Sequence, residues 1–394
     1  MEHRYDYLIV GGGMTAHAAA KGIRERDADA SIEIVGAERV PPYQRPPLTK
    51  ALWSGKKQEA DIHLGTAKSG AELHLDRRVE ALDRGAKSVR DDHGDVYHYR
   101  RLLLATGATP RRLSFDGERV INYRTLDDYH ALRRYAVADA HIAVVGGGFI
   151  GSEIAASLAS NGCKVTMLFP EPSLGATRYP KGLSDFLNEY YRDKGVELRT
   201  GVTVSAGKSK KDGVEFTLSD GKTLHADAVV AGLGVTPNVE LAEKAGLATD
   251  NGIVVDANLR TSDPDIWAAG DVANFSNPSL GRRLRVEHED AALGMGGHAG
   301  RAMTGDGTPY DTLPFFYSDL FDLGYEAVGL LDTRLEIFED WHRPNREGVI
   351  YYLDGGRVRG VLLWNVWDQV PVARKLIAQP GPIDAESLRG RIPG

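Results

Sequence analysis

At 394 residues the chain has material for two or three domains, and its composition, 42% hydrophobic and 26% charged, is that of an ordinary globular protein. A net charge of -7 offers no general attraction to nucleic acid or anionic lipid, and no apolar run approaches the ~20 residues of a membrane span. The single cysteine, Cys163, excludes an intramolecular disulfide and with it a redox-active dithiol.

The first element, YLIV within MEHRYDYLIV, begins almost at residue 1; this leaves no place for a signal peptide and makes the cytoplasm the expected compartment. A helical pattern over Thr15–Glu25 and a second strand, SIEIVG, complete a β-α-β unit. A Pro-rich turn, PYQRPPLTKALW, occupies Pro42 to Trp53. HIAVVGG, a helix over Ile150–Ser160 and KVTMLF make a second β-α-β unit, with Cys163 at its helix–strand junction, where a small apolar residue packs. LLLATGATP (Leu102 to Pro110) and VVAGLGVTPN (Val229 to Asn238) are apolar strands ending in Gly/Thr/Pro turns, and they read as crossings between two nucleotide domains. Lys208–Lys211, in Ser, Gly and Asp company, reads as a solvated loop. IWAAGDVAN, Ile266 to Asn274, is expected to end a strand at Gly270-Asp271 and start a helix. From Leu313 the character changes. GYEAVGLL, TRLEIFED, GVIYYLD and RVRGVLLW follow one another without helices, Gly355-Gly356 marks a tight hairpin, and VPVARKLIA closes as a helix. The tail, PGPIDAESLRGRIPG, is expected to be loose.

The fold class is therefore α/β, with two Rossmann-like dinucleotide-binding domains and a C-terminal α+β domain built on an antiparallel sheet. Residues 1–114 and 240–312 form the first nucleotide domain, 115–239 the second, and 313–394 the third.

Each β-α-β unit carries a Gly-rich fingerprint at its first turn: Gly11-x-Gly13-x-x-Ala16 in LIVGGGMTA and Gly146-x-Gly148-x-x-Gly151 in VVGGGFIGSE. The first glycine makes the tight turn, the second admits pyrophosphate to the backbone, and the third position lets helix and strand pack closely. The helix start then presents unpaired N–H groups to the phosphates. Both copies stand between strand and helix, the context the motif requires. The acid after each second strand contacts a ribose: Glu38 after IEIVGAE and Glu171 after KVTMLFP, the latter favouring NAD by repelling a 2′-phosphate. Two such sites imply a bound flavin dinucleotide reduced by a diffusing nicotinamide dinucleotide. Asp271 either binds a ribityl hydroxyl or caps a helix, and Glu153 is either a functional acid or one that favours the helix dipole.

Together these stretches resemble the ferredoxin reductases of bacterial oxygenase systems and apoptosis-inducing factor, FAD- and NADH-binding members of the glutathione-reductase-like superfamily. The likeness runs through PYQRPPLTKALW, LLLATGATPRRL, GGGFIGSE, LFPE, GVTPNVELAEKAGL and AAGDVAN. In YSDLFDLGYEAVGLLD, GVIYYLD and VLLWNVWDQVPVARKLI it lies nearer to apoptosis-inducing factor. The resemblance implies that Arg45 and Lys50 contact the flavin, the lysine pairing with Glu153 as the catalytic pair. It implies further FAD contacts at Val79, Ala105, Thr106, Gly107, Arg124, Gly270 and Asp271. Glu287 and His288 border the flavin–nicotinamide cleft, while Ile150, Gly234, Glu326 and Asn365 line the NAD site with Glu171. Tyr317 stands where apoptosis-inducing factor has a tryptophan, with Phe315 and Phe316 as rival aromatics. The relatives' NAD-contacting lysine has no counterpart around Ala176, Thr177 and Arg178, and the long C-terminal insertion is missing.

The implied activity is that of an FAD-dependent NADH oxidoreductase passing electrons to an iron–sulfur protein or a quinone. A second reading is a redox-sensing interaction protein that keeps a long-lived complex of reduced flavin with NAD. No metal site, nucleic acid or membrane span is expected, and a homodimer is left open.

Overall fold

The computed structural model describes residues Met1 to Pro393. Contacts within the chain gather it into two units: Met1–Gln44, Ala60–Thr109 and Thr236–Pro314 form one, and Arg45–Glu59, Pro110–Val235 and Phe315–Gly394 the other.

The first unit is built on β1 (Glu2–Val10), β2 (Ile32–Val35), β3 (Glu72–His74), β4 (Val79–Asp83), β5 (Ser88–Asp91) and β6 (Val96–Leu104). Their order is β3-β2-β1-β6-β5-β4, and the short strand Ile266–Ala268 runs beside the end of β6. The half from β3 to β6 is parallel, whereas β4, β5 and β6 form an antiparallel meander. Leu8, Ile9, Leu102, Leu103 and Leu104 are wholly buried, as expected of central parallel strands covered on both faces. Helices Met14–Arg24 and Glu289–Met303 pack against one another through small residues. A side chain at Gly22 would put its first carbon 2.3 Å from the Gly297 carbonyl oxygen, and one at Gly300 would lie 2.2 Å from that of Ala19. One acid interrupts this apolar interior: Glu33 of β2 is wholly buried, and burial, with Glu72 adding, pushes its carboxyl up to about 8.

In the second unit a five-stranded parallel sheet runs in the order Val196–Thr200, Lys164–Phe169, His141–Val145, Ala228–Ala231, Val120–Asn122. Helix Phe149–Ser160 makes the first crossover. The expected loop at Lys208–Lys211 is instead the end of strand Val204–Lys210 in an antiparallel meander, where Lys210 pairs with Glu215 at 2.8 Å. Alternation of small and polar residues there suits a strand with one solvated face. The C-terminal sheet is wholly antiparallel: Phe315–Leu320, Leu323–Gly329, Arg357–Trp364, Glu347–Asp354, Glu336–Arg343. Gly355 and Gly356 both have positive φ, 55° and 71°, which is what a two-residue turn between paired Asp354 and Arg357 demands. Helix Val370–Ala378 packs on the middle strands. The tail is not loose: Leu388 and Ile392 are wholly buried, and the Gly390 amide donates to Asp340 Oδ2 at 2.7 Å. Two apolar side chains, six and two residues from the end of PGPIDAESLRGRIPG, are therefore anchors for it.

Candidate functional site

In the first unit the turn after β1 is dictated by its backbone. Gly11 has φ +123°, and a side chain there would meet the Ala105 carbonyl oxygen at 2.1 Å. Gly11 and the Ala105-Thr106-Gly107 segment are thus in direct contact. Thr106 is further fixed by donating to the Asn238 carbonyl at 2.8 Å and accepting from its side-chain amide at 2.7 Å. Gly270, at φ +77°, lies so close to Thr15 that an added carbon would be 2.3 Å from its hydroxyl. The fold thereby brings Gly270-Asp271 to the first turn of the helix that follows Gly13, with Ala16 wholly buried behind it. The expected helix after Asp271 is absent. A single 3-10 turn, Gly270–Val272, passes into strand Ala273–Asn277, because Ala273 already has extended backbone angles.

Around this turn, Glu38 accepts a 2.7 Å hydrogen bond from the Tyr43 hydroxyl, and Val79 opens β4, half-buried. Glu287 pairs with Arg285 at 2.7 Å, and Arg285 also donates to the Asp271 carbonyl at 3.0 Å. His288 caps helix Glu289–Met303, where burial lowers its imidazole to about 4 against the opposing pull of Asp271. It is therefore a neutral ring at pH 7.

The second fingerprint repeats the mechanics. Gly146 has φ +118° with its would-be side chain 2.2 Å from the Gly232 carbonyl oxygen, and a carbon added to Gly151 would lie 1.9 Å from that of Gly146. Gly13 and Gly148 differ from these. Both have ordinary extended angles, and a carbon added to either meets nothing within 4 Å. Neither backbone strain nor packing explains a glycine at these two positions. Room for a ligand's pyrophosphate against the backbone does, so these residues fit FAD and NAD.

Other residues of the second unit fit as well. Ile150 is 39% exposed at the start of helix Phe149–Ser160, Glu171 follows strand Lys164–Phe169 half-buried, and Gly234 has φ +79° with open space before it. Glu326 Oε2 is buried without a hydrogen bond, and burial raises its carboxyl above the usual range against the opposing effect of the Asp368 backbone N–H. Asn365 is less available: its amide accepts from Gly324 N–H and donates to the Arg346 carbonyl, each at 2.8 Å.

The residues brought together most tightly are Lys50 and Glu153. Lys50 ends the 3-10 turn Pro46–Thr49, which is locked from three sides. Trp53 Nε1 and the Tyr123 hydroxyl both donate to the Leu48 carbonyl, and the Ser157 hydroxyl donates to that of Thr49. Arg45 donates to the Arg124 carbonyl at 3.1 Å, tying the start of the same turn. Lys50 Nζ then lies 2.7 Å from Glu153 Oε1, with the two side chains only 13% and 6% exposed. Sequence reasoning missed two further donors. The Ser318 hydroxyl donates to Glu153 Oε1 at 2.6 Å and the Thr49 hydroxyl to Oε2 at 2.5 Å. No motif marks a hydroxyl of this kind.

The strand Phe315–Leu320 carries the three aromatics. Alternation sends Phe315 and Tyr317 to one face and Phe316 to the other. Lys50 Nζ sits 4.5 Å from the Tyr317 ring centre, while Phe316 packs edge-on against Phe149 at 5.0 Å. Tyr317 pairs across the sheet with Glu326. Arg178, in the segment that lacks the relatives' lysine, stacks 4.4 Å over Phe149 with a buried, unpaired Nε. Cys163 is buried, its thiol raised by desolvation and donating to the Val137 carbonyl at 3.5 Å. A lone thiol so placed is inert.

The model of the family described as pyridine nucleotide-disulphide oxidoreductase matches residues 5–296, and that of the C-terminal segment of apoptosis-inducing factor matches 339–379. The chain is 36% identical to the ferredoxin–NAD(+) reductase component of the anthranilate 1,2-dioxygenase system of Burkholderia cepacia, over 97% of this chain and 96% of that protein. It is 35% identical to the mitochondrial apoptosis-inducing factor 1 of Dictyostelium discoideum, over 98% of this chain and 81% of the relative. Among solved structures, putidaredoxin reductase in its covalent complex with putidaredoxin superposes with a TM-score of 0.91 at 32% identity, covering 98% of this chain and 95% of that one. With both cradles, their open glycines and these matches in agreement, the chain belongs to the pyridine nucleotide-disulphide oxidoreductase family, as an FAD-dependent NADH oxidoreductase of the ferredoxin reductase type.

Proposed function

We propose that this enzyme delivers electrons from NADH to a small iron–sulfur protein, and that Lys50 and Glu153 are its catalytic pair. The observation that carries the assignment is the Glu153 carboxylate, buried two residues after Gly151 and held by Lys50, Thr49 and Ser318. Bound FAD supplies a two-electron acceptor able to release electrons one at a time. The chain's part is to bind, orient and tune. Gly11, Gly13 and Ala16 cradle the FAD pyrophosphate, Glu38 takes a ribose hydroxyl and Asp271 a ribityl hydroxyl. Arg45, Val79, Ala105, Thr106, Gly107, Arg124, Gly270, Glu287 and His288 complete its contacts. Gly146, Gly148, Ile150 and Gly151 cradle NADH, with Gly234, Glu326 and Asn365 lining its site. Lys50, fixed by Glu153 and resting on the Tyr317 ring, sets a positive charge toward the flavin that favours its electron-rich form.

Preference for NADH over NADPH rests on Glu171, half-exposed and free to accept from both ribose hydroxyls. Glu171→Ala is expected to raise KM for NADH about tenfold and narrow the gap to NADPH, one ribose hydrogen-bonding acid being worth about 1.5–3 kcal/mol. Equal rates with both nucleotides in the unaltered enzyme contradict this role.

An iron–sulfur acceptor is supported by what the relatives are named for: a ferredoxin–NAD(+) reductase and a reductase seen bound to putidaredoxin. The sensor reading keeps one specific support, the apoptosis-inducing factor model at residues 339–379. It differs in outcome, since a sensor holds its electrons instead of passing them on.

A further inference from the structure

Three adjacent strands of the first unit bring together a set of side chains that nucleotide chemistry does not use. On the middle strand, β2, stands Glu33; His74 ends β3 on one side, and His3 lies near the start of β1 on the other. One ligand atom from each, an imidazole nitrogen from His3 and His74 and a carboxylate oxygen from Glu33, lies within 4.8 Å of both others. A tetrahedral zinc centre with bonds of about 2.0–2.1 Å holds its ligand atoms about 3.3 Å apart, within reach of small χ rotations from this arrangement.

Two observations point to a missing partner. Glu33 is wholly buried, with Oε1 2.7 Å from His74 Nε2 and Oε2 without a hydrogen bond. His3 Nε2 is also buried and unpartnered. Buried polar atoms of this kind are ordinarily satisfied, so Glu33 Oε2 and His3 Nε2, both buried and without a hydrogen bond, point to a missing partner. A cation that takes one lone pair from each of His3, Glu33 and His74 supplies it.

We infer that His3, Glu33 and His74 form a binding site for a divalent first-row transition metal ion, with zinc the ion their ligand set suits best. Two imidazoles and one carboxylate are a zinc set, with a fourth position left to water. The surroundings are built for it. The Tyr97 ring stacks on His3 at 4.9 Å and 14°, holding the imidazole plane, while the Tyr97 hydroxyl is itself fixed by donating to Asp91 at 2.9 Å. Glu72 Oε1 lies 3.3 Å from His74 Nε2, so two carboxylates balance the ion's two charges. Such an ion joins β1, β2 and β3 at the place where His3 meets His74 ring to ring at 5.1 Å, and its role is to stabilise the unit.

The test uses the full chain with FAD bound, stripped with EDTA and titrated with zinc chloride against a chelating dye. One tight site per chain is expected. His74→Ala and Glu33→Gln should each weaken it at least about tenfold. His3→Ala should do the same with FAD absorbance unchanged. His130→Ala removes an exposed pair with Glu59 at 3.0 Å and should leave the titration as it was. Cobalt(II) should give the intense visible bands of a tetrahedral site, lost in His3→Ala. No stoichiometric zinc binding in the EDTA-stripped chain, or binding equally weakened by His130→Ala and untouched by His3→Ala, overturns the assignment.

Discussion

Glu153→Ala should lower stability by about 3–5 kcal/mol and slow reduction by NADH at least tenfold, because it removes the direct ion-pair partner of a largely buried ammonium. Lys50 is 13% exposed, and beside the through-space pull of Asp319 it keeps the face of Tyr317 at 4.5 Å. A cation–π contact of that kind offsets only about 1–2 kcal/mol. Buried Ser318 loses its acceptor at the same time, while buried Thr49 falls back on the Pro46 carbonyl at 3.2 Å. Lys50→Ala is milder for the fold, at about 1–3 kcal/mol, since two hydroxyls still donate to the Glu153 carboxylate. For the same reason the double variant should be less damaged than the sum of the two, by at least about 1 kcal/mol. Denaturation midpoints of all four forms, followed by flavin absorbance, measure this. Additive losses would mean that the two residues act independently.

Gly148→Val is expected to abolish productive NADH binding, with an affinity loss of about a hundredfold or more, while the fold and the FAD are retained. Its backbone angles, -79° and -169°, suit valine, and nothing within 4 Å obstructs the new carbon. The protein therefore accommodates the side chain, and a pyrophosphate laid against that backbone does not; a hundredfold corresponds to about 2.7 kcal/mol. Gly146→Val is the contrasting case. There the new carbon falls 2.2 Å from a carbonyl oxygen at positive φ, and misfolding is the expected result. Near-normal KM for NADH in Gly148→Val would mean that the open space serves something else.

The two nucleotide folds were legible because their signal is local. Strand, glycines, helix and strand follow one another within about thirty residues, and helices begin at Met14 and Phe149, one residue before the starts read from the sequence. Gly355-Gly356 likewise announces its turn. The Lys50–Glu153 pair joins residues 103 positions apart, and only the family resemblance suggested it. Thr49 and Ser318 left no trace, since a hydroxyl that donates to one carboxylate looks like any other. The tail misled because its two apolar anchors, Leu388 and Ile392, are too sparse to form a periodic pattern. Polar alternation around Lys208–Lys211 resembles a loop until its antiparallel partner is known. His3, Glu33 and His74 come from three strands, and no spacing connects them.

The most direct test of the account is anaerobic stopped-flow mixing in two stages. NADH should bleach the flavin far faster than NADPH does, and a [2Fe–2S] ferredoxin added next should restore the oxidised spectrum at about 1–1,000 per second, the range of ordinary turnover. A flavin that NADH does not bleach, or one that NADH bleaches but no iron–sulfur protein reoxidises faster than dissolved oxygen does, would contradict it.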